Sequence, residues 1–465
     1  MNVLIFATFL SLFSMDYLAN NLEVIPKRLF LIPEGLAAAT MIIVILLGIS
    51  RRQLFMAPKY AIFLLWFLLA IVAGLVINQV DPLVAISGMR IYLKSIPFFL
   101  LPMVYSFSEK QIKWQLYFLL ALCLTQIPVT FYQRFVQYAG LPTGDVVGGT
   151  LGVNTSGILS VILIFGIAIL VAMLVKKRLS AWAAIPLILL LFAPTTINET
   201  KVVLLLFPFV LISPIFFAPG IRNRGRKLLL LSVIGTIFML GFFIMYDLLQ
   251  GDREGTLLER MKSGNMFSYM YKQDQVGKFS ELEVGRFDAV AYAMGKISDT
   301  GNSIFGVGIG NASPSNQAAL EGEYYKKWYW MAPAKVMLSR TLWEMGYVGI
   351  ILYGALFLFL FLDAKVLAKG DDFTAAFALG WLPITLIVAG SFVYFSTFAT
   401  ISISHLFFLY AGYIASERYQ RQSQALRDSE QFKRSDPRRF AAKINPNTKK
   451  PVLTSLHQRP DNMLS

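Results

Sequence analysis

The sequence predicts an all-α polytopic membrane protein of about twelve transmembrane helices, and three observations carry that reading. Of its 465 residues 56% are apolar and 15% charged, and mean hydropathy is +0.60. Apolar runs of roughly 20 residues recur from end to end, each long enough to cross a hydrocarbon core of about 30 Å. Lysine and arginine gather in alternate connections, as they do where short loops face the cytoplasm.

Taken in order, the expected spans lie near 2–19, 29–48, 60–78, 85–105, 114–133, 155–175, 181–197, 201–218, 228–248, 335–361, 374–394 and 397–415. The first is read as retained, because Met15-Asp16 follows it with neither a basic leader nor a small-residue cleavage site. With this count the inner connections hold fourteen Lys/Arg, among them Arg51, Arg52, Lys176, Lys177, Arg178, Arg224 and Lys227. The outer ones hold four: Lys27, Arg28, Arg134 and Lys201. That bias puts both termini in the cytoplasm. The stretch from Glu417 to Ser465 has eleven Lys/Arg against five Asp/Glu and few apolar residues. Residues 416–465 are therefore expected to be a basic, disordered tail beside anionic headgroups, with no nucleic-acid partner. Residues 1–415 form the membrane domain.

Cysteine and histidine counts narrow the chemistry. Cys123 is the single cysteine, so an internal disulfide is excluded. His405 and His457 are the two histidines, too few for a His-rich metal site. No metal and no cofactor is expected.

One long outer segment, about 249–333, separates the ninth and tenth spans. Loops of this length in a compact protein are usually functional or disordered. Phe287, Val290, Ala291, Met294 and Ile297 recur at helical spacing, so 281–297 is expected to form an amphipathic helix. Next comes NSIFGVGIGN, with Gly306, Gly308 and Gly310. Its GxGxG spacing departs from the dinucleotide fingerprint, which needs GxGxxG between a strand and a helix. A tight turn against another backbone or a substrate fits better. The loop holds nine Lys/Arg against ten Asp/Glu, so its cations must be weighed singly.

Four places carry cations where lipid or its boundary is expected. Arg90 and Lys94 stand one helical turn apart in SGMRIYLKSIPFFLLP and require counter-charges or a wet cavity, unless they snorkel outward. Lys201, with Glu199, opens an outer helix end and serves as an interfacial anchor or a ligand. Arg286 opens the amphipathic helix, inert if exposed. In AKVMLSRTLWEMG, Lys335 precedes Arg340 and Glu344, which are spaced to pair along a helix. A phosphate-bearing lipid is the natural ligand for such a set, because guanidinium forks match phosphate oxygens and lysine adds point charge.

In this order the segments resemble the bacterial polysaccharide polymerases and O-antigen ligases, the Wzy/WaaL superfamily of integral-membrane glycosyltransferases. The matching parts are MRIYLK in an early span, GGTLGVNTSG with Asn154, and Thr200-Lys201 at a helix end. GRFDAVAYAMGKI with the following IFGVGIGN, and KVMLSRTLWEMGYVG with Glu344, Gly346 and Gly349, complete the series. The resemblance covers roughly residues 60 to 415. It implies a GT-C-type fold with one large periplasmic loop containing short helices, set in the bacterial inner membrane. It further implies inverting, metal-independent transfer from an undecaprenyl-diphosphate-linked oligosaccharide, with a flippase and a chain-length regulator as partners.

On that basis Arg286, Lys335, Arg340 and Glu344 are expected to be catalytic. Arg90, Lys94, Asn154, Glu199, Lys201, Gly306 and Gly308 are expected to bind substrate. Glu199, Glu283 and Glu344 stand as alternatives for a general base. Lys335 occupies the place where the ligases commonly carry histidine. A lysine with an ordinary value of about 10.4 is a poor base, which favours a polymerase of O-antigen, capsule or exopolysaccharide. The alternatives are a ligase acting on lipid A–core, or a lipid-sugar transporter.

Overall fold

A computed structural model of the protein describes residues 1–26, 29, 31–141, 144–198, 200–220, 223–250, 259, 270, 274–276, 281–315 and 317–435. Among these residues the chain forms fifteen α-helices and one two-stranded ribbon. Before the outer segment come α1 (Asn2–Asp16), α2 (Ile32–Arg51), α3 (Pro58–Ile77), α4 (Pro82–Leu93) and α5 (Ile96–Val104). They are followed by α6 (Glu109–Tyr132), α7 (Ser156–Val175), α8 (Ala181–Ile197), α9 (Val203–Phe217) and α10 (Arg224–Gln250). Within the outer segment lie the ribbon, β1 (Asp274–Val276) against β2 (Glu281–Glu283), and the helices α11 (Arg286–Asp299) and α12 (Glu323–Trp328). The chain then returns through α13 (Met337–Leu367), α14 (Phe373–Ser391) and α15 (Ile401–Ser435).

Eight of these helices are long and apolar enough to cross a membrane, or nine if α4 and α5 count as one bent span. The expectation of twelve is corrected for three physical reasons. The stretch 85–105 is two helices bent by 50°, broken where Pro97 enters the first turn of α5 and cannot continue the ladder of α4. Helices α8 and α9 have 17 and 15 residues, roughly 25 and 22 Å at 1.5 Å per residue, short of the hydrocarbon core. Helix α15 is apolar only in its early turns and continues, increasingly charged, to Ser435. The expected disordered tail therefore begins as helix, and residues 436–465 lie outside the described set.

Helices α7 and α14 form the centre of the bundle, with 72% and 83% of their apolar stretches buried. Both are apolar on every side, the pattern of a helix enclosed by others. Around them pack α8, α9 and α13, with α15 set against α14 through Trp381, Phe407 and Tyr410, and α5 against α15 in turn. At the end of the bundle away from the outer segment, Lys59 Nζ meets Asp363 Oδ1 at 2.6 Å and Tyr60 OH donates to Asp363 Oδ2 at 2.7 Å, fastening α3 to α13.

A second, small core sits on the outer side, where Ala293, Ile297, Val307, Leu342 and Trp343 pack together. It seats α11 on α13. That helix starts at Arg286 rather than at 281, because 281–283 is strand and Gly285 takes the N-cap. Its buried side is Ala289, Ala293 and Ile297, whereas Phe287, Ala291 and Met294 of the expected stripe face outward. Small side chains let the two backbones approach, close enough for Ser339 Oγ to donate to Ala289 O at 2.9 Å.

Candidate functional site

The site is built on a break in α13. At Gly346 the backbone adopts φ 59° and ψ −155°, a conformation outside the helix and accessible in practice to glycine alone. The interruption frees backbone groups that need partners. The glycine turn supplies them: Val307 N donates to Trp343 O at 2.7 Å, and Tyr347 N to Ser303 O at 2.9 Å. Gly310, at φ 83°, slides along α4 so closely that a Cβ there would lie 2.2 Å from Val84 O. Gly306 and Gly308 are likewise pressed against α13 and α3, so this turn approaches backbone.

Glu344 sits at the centre of this contact, 1% exposed. Its Oε1 accepts from Gly310 N at 3.0 Å and Ser313 Oγ at 2.7 Å, and its Oε2 accepts from Tyr92 OH at 2.7 Å. The carboxylate ties α4, the glycine turn and α13 into one unit. Arg340 makes no hydrogen bond to it, although the guanidinium charge lies close enough to attract the carboxylate.

Cations gather around the turn joining α14 to α15. Arg286 Nε donates to Tyr394 O at 2.6 Å, and its guanidinium lies 4.5 Å from the centre of the Tyr394 ring. Lys94 Nζ donates to Ala399 O at 2.7 Å. The first N–H groups of α13 also end there, Met337 N on Phe395 O and Leu338 N on Phe392 O, at 3.1 and 2.8 Å. Lys335 Nζ donates to Val284 O, two residues before Arg286. Lys201, in the break between α8 and α9, lines an apolar cavity of about 640 Å³ together with Tyr394 and Phe395. One irregular turn, 392–400, thus takes hydrogen bonds from Arg286 and Lys94 and shares a cavity with Lys201.

Arg340 is the exception in its bonding. It is 5% exposed, and its Nε and Nη1 have no hydrogen-bond partner among the described residues. Lys94 feels its charge, along with those of Arg90 and Glu34. A buried guanidinium with open N–H groups is costly unless an anion completes it.

Two predicted residues stand elsewhere. Arg90 does not stack with Lys94 in a cavity; its side chain is 55% exposed and pairs with Glu34 of α2 at 2.6 Å. Asn154 is exposed and adopts φ 59° in the turn before α7. In the adjacent segment Gly149 exchanges two hydrogen bonds with Gln133, and Thr150 N donates to Gln126 Oε1, so these contacts run to the α6 region and not to the cations. Glu199 lies outside the described residues, and of the Glu283 side chain nothing is described.

Tyr92, Ser313, Tyr394 and Asn198 escaped the sequence reading. Asn198 is fully buried and binds Ser156 O, Ser160 Oγ and the Thr200 hydroxyl, which fixes the break that carries Lys201. The only signal for Tyr394 was the polar string SFVYFSTFAT between two apolar runs. Compared with protein-family models and with curated proteins, the chain matches none. The fold and site define a polytopic helical membrane protein with a cation cluster at one end of its bundle.

Proposed function

We propose that this protein is a polysaccharide polymerase that joins polyprenyl-diphosphate-linked oligosaccharide repeat units. The observation that carries the reading is Arg340: buried, with two open N–H groups, beside a turn on which Arg286 and Lys94 already converge. A diphosphate supplies acceptor oxygens for the two open N–H groups of Arg340. The apolar cavity beside Lys201 and Tyr394 offers the prenyl chain a path away from the charged head. The catalytic face is taken as periplasmic, with both termini cytoplasmic in a bacterial inner membrane, following the positive-inside bias.

In the reaction a hydroxyl oxygen of one repeat unit attacks the anomeric carbon of the growing chain with inversion. The glycosidic bond to the prenyl diphosphate breaks, its electron pair leaves with the diphosphate, and the hydroxyl proton passes to solvent or a carboxylate. Negative charge grows on the leaving group, so preorganised cations favour the transition state over the ground state. Arg340, Arg286 and Lys335 are assigned to that charge, with Lys94 and Lys201 binding the substrate further along. Glu344 is a positioning residue, because its oxygens are engaged. Partners implied by this chemistry are a flippase that delivers repeat units and a chain-length regulator.

Transfer to lipid A–core is the second reading. It shares the donor and is disfavoured by Lys335, which stands as a hydrogen-bond donor where the ligases commonly carry histidine. Purified protein in liposomes with synthetic prenyl-diphosphate repeat units tests both. A ladder of multimers supports the polymerase. Product only when lipid A–core is added overturns it in favour of the ligase, and no product with either acceptor removes the enzyme reading.

A further inference from the structure

A second cavity, of about 380 Å³, lies among α6, α7, α8, α14 and α15, away from the cation turn. Glu109, Lys113 and Arg178 line its rim, and Cys123, Trp381 and Tyr410 its buried floor. Its walls are leucine, isoleucine and phenylalanine. Lys113 is 40% exposed, paired with Glu109 at 2.6 Å and 4.9 Å from the centre of the Phe373 ring. Arg178 donates to Asp371 O and is otherwise exposed. The rim thus carries two lining cations, Lys113 and Arg178, against one lining carboxylate, Glu109, with Lys176 and Asp371 paired beside Arg178 at 3.7 Å.

The floor is unusual for an apolar cavity. Trp381 Nε1 and Tyr410 OH, each on a side chain 2% exposed, have no partner among the described residues. Empty cavities that stay dry are apolar throughout, and two unmet donors argue for an occupant. From Lys113 to Cys123 is ten residues along α6, about 15 Å at 1.5 Å per residue. That is half the hydrocarbon thickness of about 30 Å, the depth of one leaflet.

From this geometry we infer that the cavity holds one chain of an anionic phospholipid, its headgroup on Lys113 and Arg178 and an unsaturated chain running to the floor. The anion answers the rim, the leaflet-deep apolar wall takes the chain, and the π bond of an unsaturated chain meets the indole N–H and phenol O–H as weak acceptor. This lipid belongs to the leaflet that holds the basic connections, opposite the proposed catalytic face. It holds α6 and α8 against the buried pair α7 and α14, as an integral part of the bundle.

Cys123 makes the test direct, since it is the only thiol in the chain and lies on the floor. The full-length protein, delipidated in detergent, is treated with a small maleimide while phosphatidylglycerol or phosphatidylcholine is titrated. Phosphatidylglycerol is expected to slow alkylation about tenfold once it exceeds its dissociation constant by about that factor, and phosphatidylcholine to do far less. Lys113→Glu with Arg178→Glu should abolish the difference between the two headgroups. Tyr410→Phe should reduce the advantage of a monounsaturated over a saturated chain. Equal protection by both headgroups overturns the anionic site, as does failure of the delipidated protein to react at all. Protection by a polyprenyl phosphate but not by phosphatidylglycerol overturns the phospholipid assignment. The titration of the wild-type chain decides the matter even if a variant fails to fold.

Discussion

Arg286 grips Tyr394 twice, donating to its carbonyl at 2.6 Å and lying 4.5 Å from its ring centre. The first contact holds the turn, and the second leaves the planar fork oriented along the ring face. Lysine can reproduce the charge but neither the fork nor the stacking. Arg286→Ala is expected to remove polymer at unchanged protein level, and Arg286→Lys to retain a small fraction. Chain-length analysis of product from cells lacking the native copy measures this, and normal length in Arg286→Ala would take the residue out of the site.

Arg340 sets stability against function. A buried guanidinium with open N–H groups costs free energy that an apolar side chain of similar length does not. Arg340→Met is therefore expected to leave thermal stability nearly unchanged, since relief of the buried guanidinium offsets the loss of its attraction for the Glu344 carboxylate, while eliminating transfer. Unfolding in detergent and the liposome assay report the two quantities separately. Substantial destabilisation would mean that the guanidinium is structurally satisfied.

Glu344 should behave in the opposite way. Removing its carboxylate strands Gly310 N, Ser313 Oγ and Tyr92 OH in the interior. Glu344→Ala should cost about 3 to 9 kcal/mol, at roughly 1 to 3 for each of the three buried groups left unpaired. Glu344→Gln keeps acceptor capacity at one oxygen and should cost less. Comparable stability of Glu344→Ala and wild type would sink the positioning role.

The glycine turn allows little variation. A Cβ at Gly310 would sit 2.2 Å from Val84 O, on a backbone with φ 83° that side chains rarely adopt. Gly310→Ala should lower the yield of folded protein sharply. At Gly354, in α13, nothing lies within 4 Å of an added Cβ, so Gly354→Ala is the matched control and should leave yield intact or better. Size-exclusion profiles of the two variants provide the comparison.

On the opposite face, Asp372 caps α14 and accepts from Arg421 Nη2 at 2.5 Å and from Ala375 N at 2.9 Å. Partial burial pushes its carboxyl up, but these hydrogen bonds outweigh that and hold it below the usual carboxylate range. A depressed folded value means stability fully present above the unfolded value near 3.9, and lost as pH falls through the lower folded one. Arg421→Ala should flatten that acid limb. Thermal melts between about pH 2 and 6 would show it, and an unchanged acid limb would exclude the contribution.

Much of the architecture was legible because membrane helices obey a local rule. Runs of apolar residues announce themselves without reference to neighbours, and α3, α7, α13 and α14 fell close to their expected limits. The break at Pro97 was harder to read, since apolar residues continue through it, whereas α8 fell on its expected limits and α9 within two residues of them. Helix α11 had the expected place but the wrong buried side, because small residues at 289 and 293 suit close backbone approach better than the large residues beside them.

The sequence by itself determined a polytopic helical membrane protein and the short list of cations available to it. Only the tertiary structure decided which of these meet. Lys94 and Ala399 are 305 residues apart, Tyr92 and Glu344 are 252, and Arg286 and Tyr394 are 108. No local period records such distances. Apolar burial is nondirectional and can be read residue by residue, whereas a hydrogen bond needs a particular donor within about 3 Å of a particular acceptor. That placement depends on a proline bend, a glycine break and an irregular turn acting together.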